Sequence, residues 1–245
     1  MSKLSHIQYG NRKITFRLKR SNRRKTVEIS INPEADVIVS APQFLRVDKI
    51  EEIIKKRVQW ITEKQEFVNK QRRPGLVKEF VSGESLMYLG RQYLLRVILS
   101  DSEESCKLIN GRFLVNIDEH LRGETVKETV KQALVSWYLD RAKEKIPERA
   151  RLYASQIGKW PERIEIKNLK RCWGRCSHKG VIRLNWKTIM VPVTILDYVI
   201  VHELCHLIYL NHSKQFWQKV QTIIPDYTKR RKMLKEYSLR TGDFI

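Results

Sequence analysis

The chain has 245 residues, 42% of them hydrophobic, with 48 Lys and Arg against 27 Asp and Glu for a formal net charge of +21. Ten Gly and seven Pro exclude a collagen-like or linker-dominated chain, and six Trp, nine Tyr and seven Phe exclude a disordered one. The longest apolar stretch, Ile189–Val201, is broken by Pro192 and Asp197 and falls short of the ~20 residues of a membrane span. No apolar signal segment follows Met1, and the scattered Cys106, Cys172, Cys176 and Cys205 make no disulfide framework. The expectation is a reduced, cytoplasmic protein with no membrane partner.

Residues 1–75 read as short strands followed by a helix. Lys13–Lys19, Thr26–Ile31 and Val37–Ala41 alternate apolar and polar residues, with breaks at Ser21-Asn22 and Asn32-Pro33. From Val47 to Val68 apolar residues recur at helical spacing, and Asp48, Glu51 and Glu52 near the start suit the helix dipole. Gln71-Arg72-Arg73-Pro74-Gly75 reads as a linker. Nine Lys and Arg precede the first acid, Glu28, yet the excess is spread: +10 over residues 1–75 and +11 over the rest. Such a surface attracts polyanions by counterion release, which predicts weak, non-specific nucleic-acid binding; the plain alternative is a solvated basic surface.

Residues 76–120 read as a second strand group: Leu86–Leu89, Tyr93–Leu99, Cys106–Ile109 and Arg112–Ile117. Asn110-Gly111 between the last two is a two-residue hairpin signal. Thr125 to Glu128 forms a capping box opening a long helix through Val130, Leu134, Trp137, Tyr138 and Ala142. Pro147 is expected to kink or split it before Ala150–Ile157. Arg163–Ile166 and Val181–Leu184 read as strands, and the chain from Thr194 onward as helical. No internal repeat is visible. The fold class expected is α+β: a β-rich N-terminal part with one long helix (1–75), a hairpin segment continuing the sheet (76–120), and a domain with an active-site helix and a small adjacent sheet (121–245).

Three of the six histidines fall within eleven residues, in His202-Glu203-Leu204-Cys205-His206 and then His212. The run from Val193 predicts a helix, with Thr194 and Asp197 as its N-terminal cap pair after Pro192. His202 and His206 then share one helix face and can bind one tetrahedral Zn2+, with Glu203 beside them as base toward a metal-activated water. His212 is the expected third ligand. Continuing the helix would carry it off the metal face at ~100° per residue, so the chain must leave the helix near Tyr209–Asn211, with Asn211 left-handed. A purely structural zinc would favour cysteines and a closed fourth position.

Several segments together resemble a known family. They are Trp173-Gly174-x-Cys176-Ser177, Lys179-Gly180-x-Ile182-x-Leu184-Asn185-Trp186, Val199-x-Val201-His202-Glu203-Leu204-x-His206-Leu207, Asn211-His212-Ser213, Phe216-Trp217 and Pro225-Asp226-Tyr227. They resemble the YgjP-like family of metal-dependent hydrolases, itself similar to the Wss1-like and SprT-like zinc proteases. The dense resemblance runs from about Arg171 to Arg231. A looser one takes in Arg20-Ser21 through Lys25-Thr26, Val39-x-Ala41-Pro42 and Leu89-Gly90-x-x-Tyr93. It implies an α+β zincin domain, zinc on His202, His206 and His212, and Glu203 as base. Arg175, Cys172 and Cys205 depart from the residues common in the family and bear on the shape of the cleft.

Val181–Leu184 is expected either to border the cleft and pair with extended substrate, or to be an ordinary core strand. Cys172, Cys176 and His178 offer a second metal site, at a spacing unlike a zinc knuckle. Cys205, Trp173, Trp186, Phe216 and Trp217 read as packing residues, and Lys229-Arg230-Arg231-Lys232 as the exposed coat of the last helix. Tyr227, His178 and Arg175 are the candidates for an oxyanion stabiliser. Two functions follow. One is a zinc metallopeptidase acting on protein or peptide substrates. The other is a nucleic-acid-associated protein whose zinc domain is structural or acts only on DNA-bound proteins. An intact Glu203 favours the first, because a structural site needs no base.

Overall fold

The computed structural model describes residues 3–10, 12–32, 35–71, 78–101, 105–169 and 172–241, and the chain divides into two compact units, 1–76 and 77–244. In the first unit β1 (Lys3–Tyr9), β2 (Arg12–Ser21), β3 (Glu28–Ile31) and β4 (Val37–Pro42) form a sheet of order β1-β2-β4-β3. β1 and β2 pair antiparallel, β2 and β4 parallel, β3 and β4 antiparallel. β1 was not expected from the sequence; it is recruited across the sheet, with Ile7 opposite Ile14 and both buried. Alternate residues Phe16, Leu18, Val37, Val39 and Ala41 form one apolar face. They share a core with Ile50 and Ile54 of α1 (Val47–Lys55) and with Val58 and Ile61 of α2 (Val58–Gln71).

The single helix expected over Val47–Val68 is therefore two. A tight bond from the Arg57 N–H to the Ile54 carbonyl closes α1 and interrupts the helical ladder. Arg20 is built into this unit, its guanidinium donating to the carbonyls of Pro42, Gln43 and Leu45 at 3.2, 3.0 and 2.7 Å. Most of the expected linker, residues 72–75, lies outside the described residues.

The second unit begins with β5 (Ser85–Tyr88), β6 (Arg91–Leu99), β7 (Ser105–Ile109) and β8 (Arg112–Ile117), in the order β5-β6-β8-β7. Its pairings are again antiparallel, parallel and antiparallel. One sheet topology thus occurs twice in a chain without a sequence repeat. Asn110 and Gly111 take φ of 48° and 73°, the backbone their hairpin requires.

Helix α3 (Glu124–Ile157) starts one residue before Thr125, so the expected capping box is not formed. Gly123, at φ 58° and ψ −133°, sets the start with a backbone that only glycine adopts readily. Pro147 does not split α3. Val130, Leu134, Tyr138, Ala142, Ile146, Ala150 and Ala154 are buried at each fourth residue, and this packing offsets the ~3 kcal/mol a proline costs inside a helix.

β9 (Arg163–Lys167), β10 (Gly174–Cys176) and β11 (Val181–Asn185) form a three-stranded sheet of order β10-β11-β9. A 3₁₀ turn at Trp186–Met190 leads to α4 (Val193–Cys205), followed by α5 (Lys214–Ile223) and α6 (Tyr227–Thr241). α4 is apolar on nearly every side and buried accordingly. The turn between β5 and β6 seats against its entry. The Leu89 and Gly90 N–H groups donate to the Ile189 and Met190 carbonyls at 2.8 and 3.0 Å, and a Cβ on Gly90 would lie 2.6 Å from Pro192 Cγ.

The expected cap pair is absent, since Pro192 caps α4 without a side-chain bond. Asp197 instead accepts two bonds from Arg149 of α3, at 2.8 and 2.7 Å, because a buried carboxylate needs a cationic partner. Among the described residues no helix is long and apolar enough to cross a membrane.

Candidate metal centre

α4 ends at Cys205, earlier than expected. Short bonds from the Leu207 and Ile208 N–H groups to the Leu204 and Cys205 carbonyls tighten its last turn. Asn211 takes no positive φ. His212 is placed by the next helix instead: the Ser213 hydroxyl caps α5 by accepting the Phe216 N–H at 3.3 Å.

The three imidazoles converge. Ring centroids are 5.0 Å apart for His202 and His206, 4.9 Å for His202 and His212, and 4.7 Å for His206 and His212. One nitrogen from each lies within 4.8 Å of the others, a set that could hold a metal ion. The fully buried Phe216 touches all three rings, stacking on His206 at 4.6 Å and standing edge-on to His202 and His212 at 5.0 and 4.8 Å. Phe216 is a core residue, as its sequence setting predicts over substrate stacking, and the same ring floors the histidine cluster. His206 Nδ1 lies 2.9 Å from the Tyr209 carbonyl; as the donor there, it leaves Nε2 free to coordinate.

Electrostatics favour the metal-binding forms. Burial, then the neighbouring imidazoles and Arg231, push His202 down to about 3, and burial with His206 and Arg231 also lowers His212. Both shifts favour the neutral, metal-binding form of these two rings. His202 Nε2 and His212 Nε2 face each other at 3.0 Å, and His202 Nδ1 and Glu203 Oε2 are buried without a partner among the described residues. Three convergent imidazole nitrogens over an apolar floor fit a borderline divalent cation such as zinc. Burial also pushes Glu203 up to about 8.

Glu203 packs against β10. A Cβ on Gly174 would lie 2.7 Å from both Cγ and Oε1 of Glu203, so the approach depends on glycine. Of the two expectations for Val181–Leu184, cleft border or core strand, the structure matches the second: β11 is the central strand, paired on both sides. Among the described residues β10 and β9 are the edges of this sheet, and β10 is the one against Glu203. The Ser177 N–H donates to Val181 and the Asn185 N–H to Trp173, so by antiparallel alternation Gly174 and Cys176 direct their main-chain groups outward.

The remaining candidates separate. Among the described residues Cys172, Cys176 and His178 bring no ligand cluster together. Cys205 is fully buried, which raises its thiol to about 12. His178 sits in the turn between β10 and β11, where it lines a shallow pocket of about 320 Å³ with Trp160, Leu207, Leu210 and His206. Arg175 is exposed on β10, and Tyr227 stacks on Trp217 at 5.3 Å. Tyr198, one turn before His202 and buried, was not anticipated; its ring lies 5.9 Å from that of His202.

No curated protein matches the chain. Among solved structures it is similar to the crystal structure of the metallopeptidase zymogen of Pyrococcus abyssi abylysin, with 26% identity over 37% of this chain and 93% of that one, at a TM-score of 0.34. The family model described as YgjP-like, metallopeptidase domain, matches residues 25–237, and the chain belongs to that family of metal-dependent peptidases.

Proposed function

We propose that the chain is a zinc-dependent peptidase in which His202, His206 and His212 hold the metal and Glu203 is the general base. One observation carries the reading: three imidazole nitrogens converge, and the residue next to His202 on α4 is Glu203, buried and with Oε2 unpartnered among the described residues. Zinc, when bound, supplies a Lewis acid that polarises the scissile carbonyl and the attacking water. The chain does the rest. Glu203, as the carboxylate, accepts the proton of the attacking water and delivers it to the leaving amine. The outward main-chain groups of Gly174 and Cys176 suit an extended peptide added as a strand beside β10, which brings its backbone past Glu203. A structural zinc would leave this buried carboxylate without a role.

The test is metal analysis of the purified protein together with cleavage of a broad peptide library by wild type, chelator-treated wild type and Glu203→Gln. The expected result is about one zinc per chain, and cleavage that both treatments abolish. Cleavage that survives metal removal would overturn the reading.

A further inference from the structure

We propose that Arg231 is the oxyanion-stabilising residue of this site, an inference that rests on the peptidase reading above. The basic run at residues 229–232 reads in sequence as a solvated helix face, but the structure divides it. Arg230 is tied down: it donates to the Thr194 carbonyl at 3.0 Å and pairs with Asp226 at 2.9 Å, holding the first turn of α6 to the start of α4. That anchoring leaves the next residue, Arg231, over the ring of Trp217, with Cζ 5.0 Å from the centroid. Trp217 in turn stacks on His212 at 5.4 Å and 22°, and lies 5.7 Å from the ring of His202. One aromatic ring therefore separates the guanidinium from two of the three imidazoles.

Three properties suit Arg231 to the role. Among the described residues it enters no ion pair, and it is exposed, so its donors are open to a ligand. Its charge lies close to the centre: the Trp217 ring that it covers is 5.4 Å from the ring of His212 and 5.7 Å from that of His202. Stacking on Trp217 orients the guanidinium before substrate arrives, and arginine stays charged at every working pH. Oxyanion stabilisation asks for this combination, a fixed positive donor that need not reorganise as charge develops. Glu203 lies on α4 against β10, whereas Arg231 lies on α6 over Trp217, so the base and the cation come from different elements. The earlier candidates have other settings: Arg175 lies opposite Arg183 on β10, His178 lines the pocket beside His206, and Tyr227 is engaged with Trp217.

The experiment compares zinc-loaded wild type, Arg231→Gln and Arg231→Lys on a cleaved peptide and on its phosphonamidate analogue, whose anionic tetrahedral phosphorus group mimics the transition state. In Arg231→Gln, kcat should fall about 10²-fold with KM nearly unchanged. Phosphonamidate affinity, measured by calorimetry, should fall by the same factor as kcat/KM, with zinc content as in wild type. Arg231→Lys should recover part of both losses. Unchanged kcat and phosphonamidate affinity, a rise in KM alone, or loss of zinc in Arg231→Gln would each overturn the assignment while leaving the peptidase reading in place. A wild type that cleaves no peptide and binds no phosphonamidate would remove both.

Discussion

The Cβ that Gly174 lacks would lie 2.7 Å from Oε1 of Glu203, so the carboxylate is packed directly on the backbone of strand β10. Gly174 is not in the left-handed region, and its role is to leave space. Gly174→Ala should displace Glu203 and lower peptide cleavage by about 10²-fold, the cost of an ångström-scale misplacement, while zinc content holds. Kinetics with parallel metal analysis checks this. Cleavage at the wild-type rate would show that Glu203 does not work from this position.

His212→Ala should drop bound zinc sharply from near one per chain, because His202 and His206 alone leave the tetrahedron two ligands short. His178→Ala, which alters a pocket residue outside the histidine cluster, should keep wild-type metal. Elemental analysis of the two variants side by side decides the ligand set. Equal metal in both would exclude His212.

Asp197 is buried on α4 and accepts both of its bonds from Arg149 on α3. Asp197→Ala strands the partly buried guanidinium and should cost about 3–5 kcal/mol in urea denaturation. The double variant Arg149→Met/Asp197→Leu should cost far less, because no charge is then left unpaired. Equal losses in the single and double variants would mean that packing, not charge, matters there.

Metal-free protein should lose stability on the alkaline side because of Glu203. Its folded value, about 8, lies above the ordinary 4.5, so the folded state holds more protons than the unfolded chain between these values. Stability therefore falls as pH rises through that window, by up to about 1.4 kcal/mol per pH unit. Glu203→Gln should remove this slope. His202, lowered from 6.5 to about 3, acts oppositely: its contribution is present above 6.5 and is lost as pH falls toward 3. Denaturation of both proteins in chelator from pH 5 to pH 8.5 measures the difference, and parallel curves would refute it.

The net charge of +21 predicts weak nucleic-acid binding without sequence preference, falling steeply with salt. Arg20 is a poor probe of it, since its guanidinium holds three carbonyls inside the first unit, and Arg24 pairs with Glu28. Arg23→Gln and Lys25→Gln should each lower the salt slope by about 1 if they contact phosphate. Titration of labelled DNA and RNA at several salt concentrations tests this. No binding at low salt would leave the charge as a solvated surface.

The chemistry was legible in the sequence because it is local. Four residues make one helical turn, so His202 and His206 share a face whatever surrounds them. Alternation with a period of two marked β2, β3 and β4, and Asn110-Gly111 marked its own turn. Even the presence of aromatic residues one turn beyond His212 was legible, although their contacts with the histidines were not.

The rest depended on partners distant in the chain. Asp197 looked like a helix cap until α3 supplied Arg149, 48 residues away, and burial made that pairing the stronger demand. Val181–Leu184 reads equally as a cleft strand or a core strand, and only the pairing of three strands shows that it is central and that β10 and β9 are the edges. Arg231 looked like surface charge until α6 laid it over Trp217. The sheet topology shared by the two units left no trace in sequence, because many apolar residues can satisfy one alternating pattern. Periodicity reports that a face must be covered; which element covers it is set by packing and by charge neutralisation across the fold, and those interactions exist only once the chain has closed.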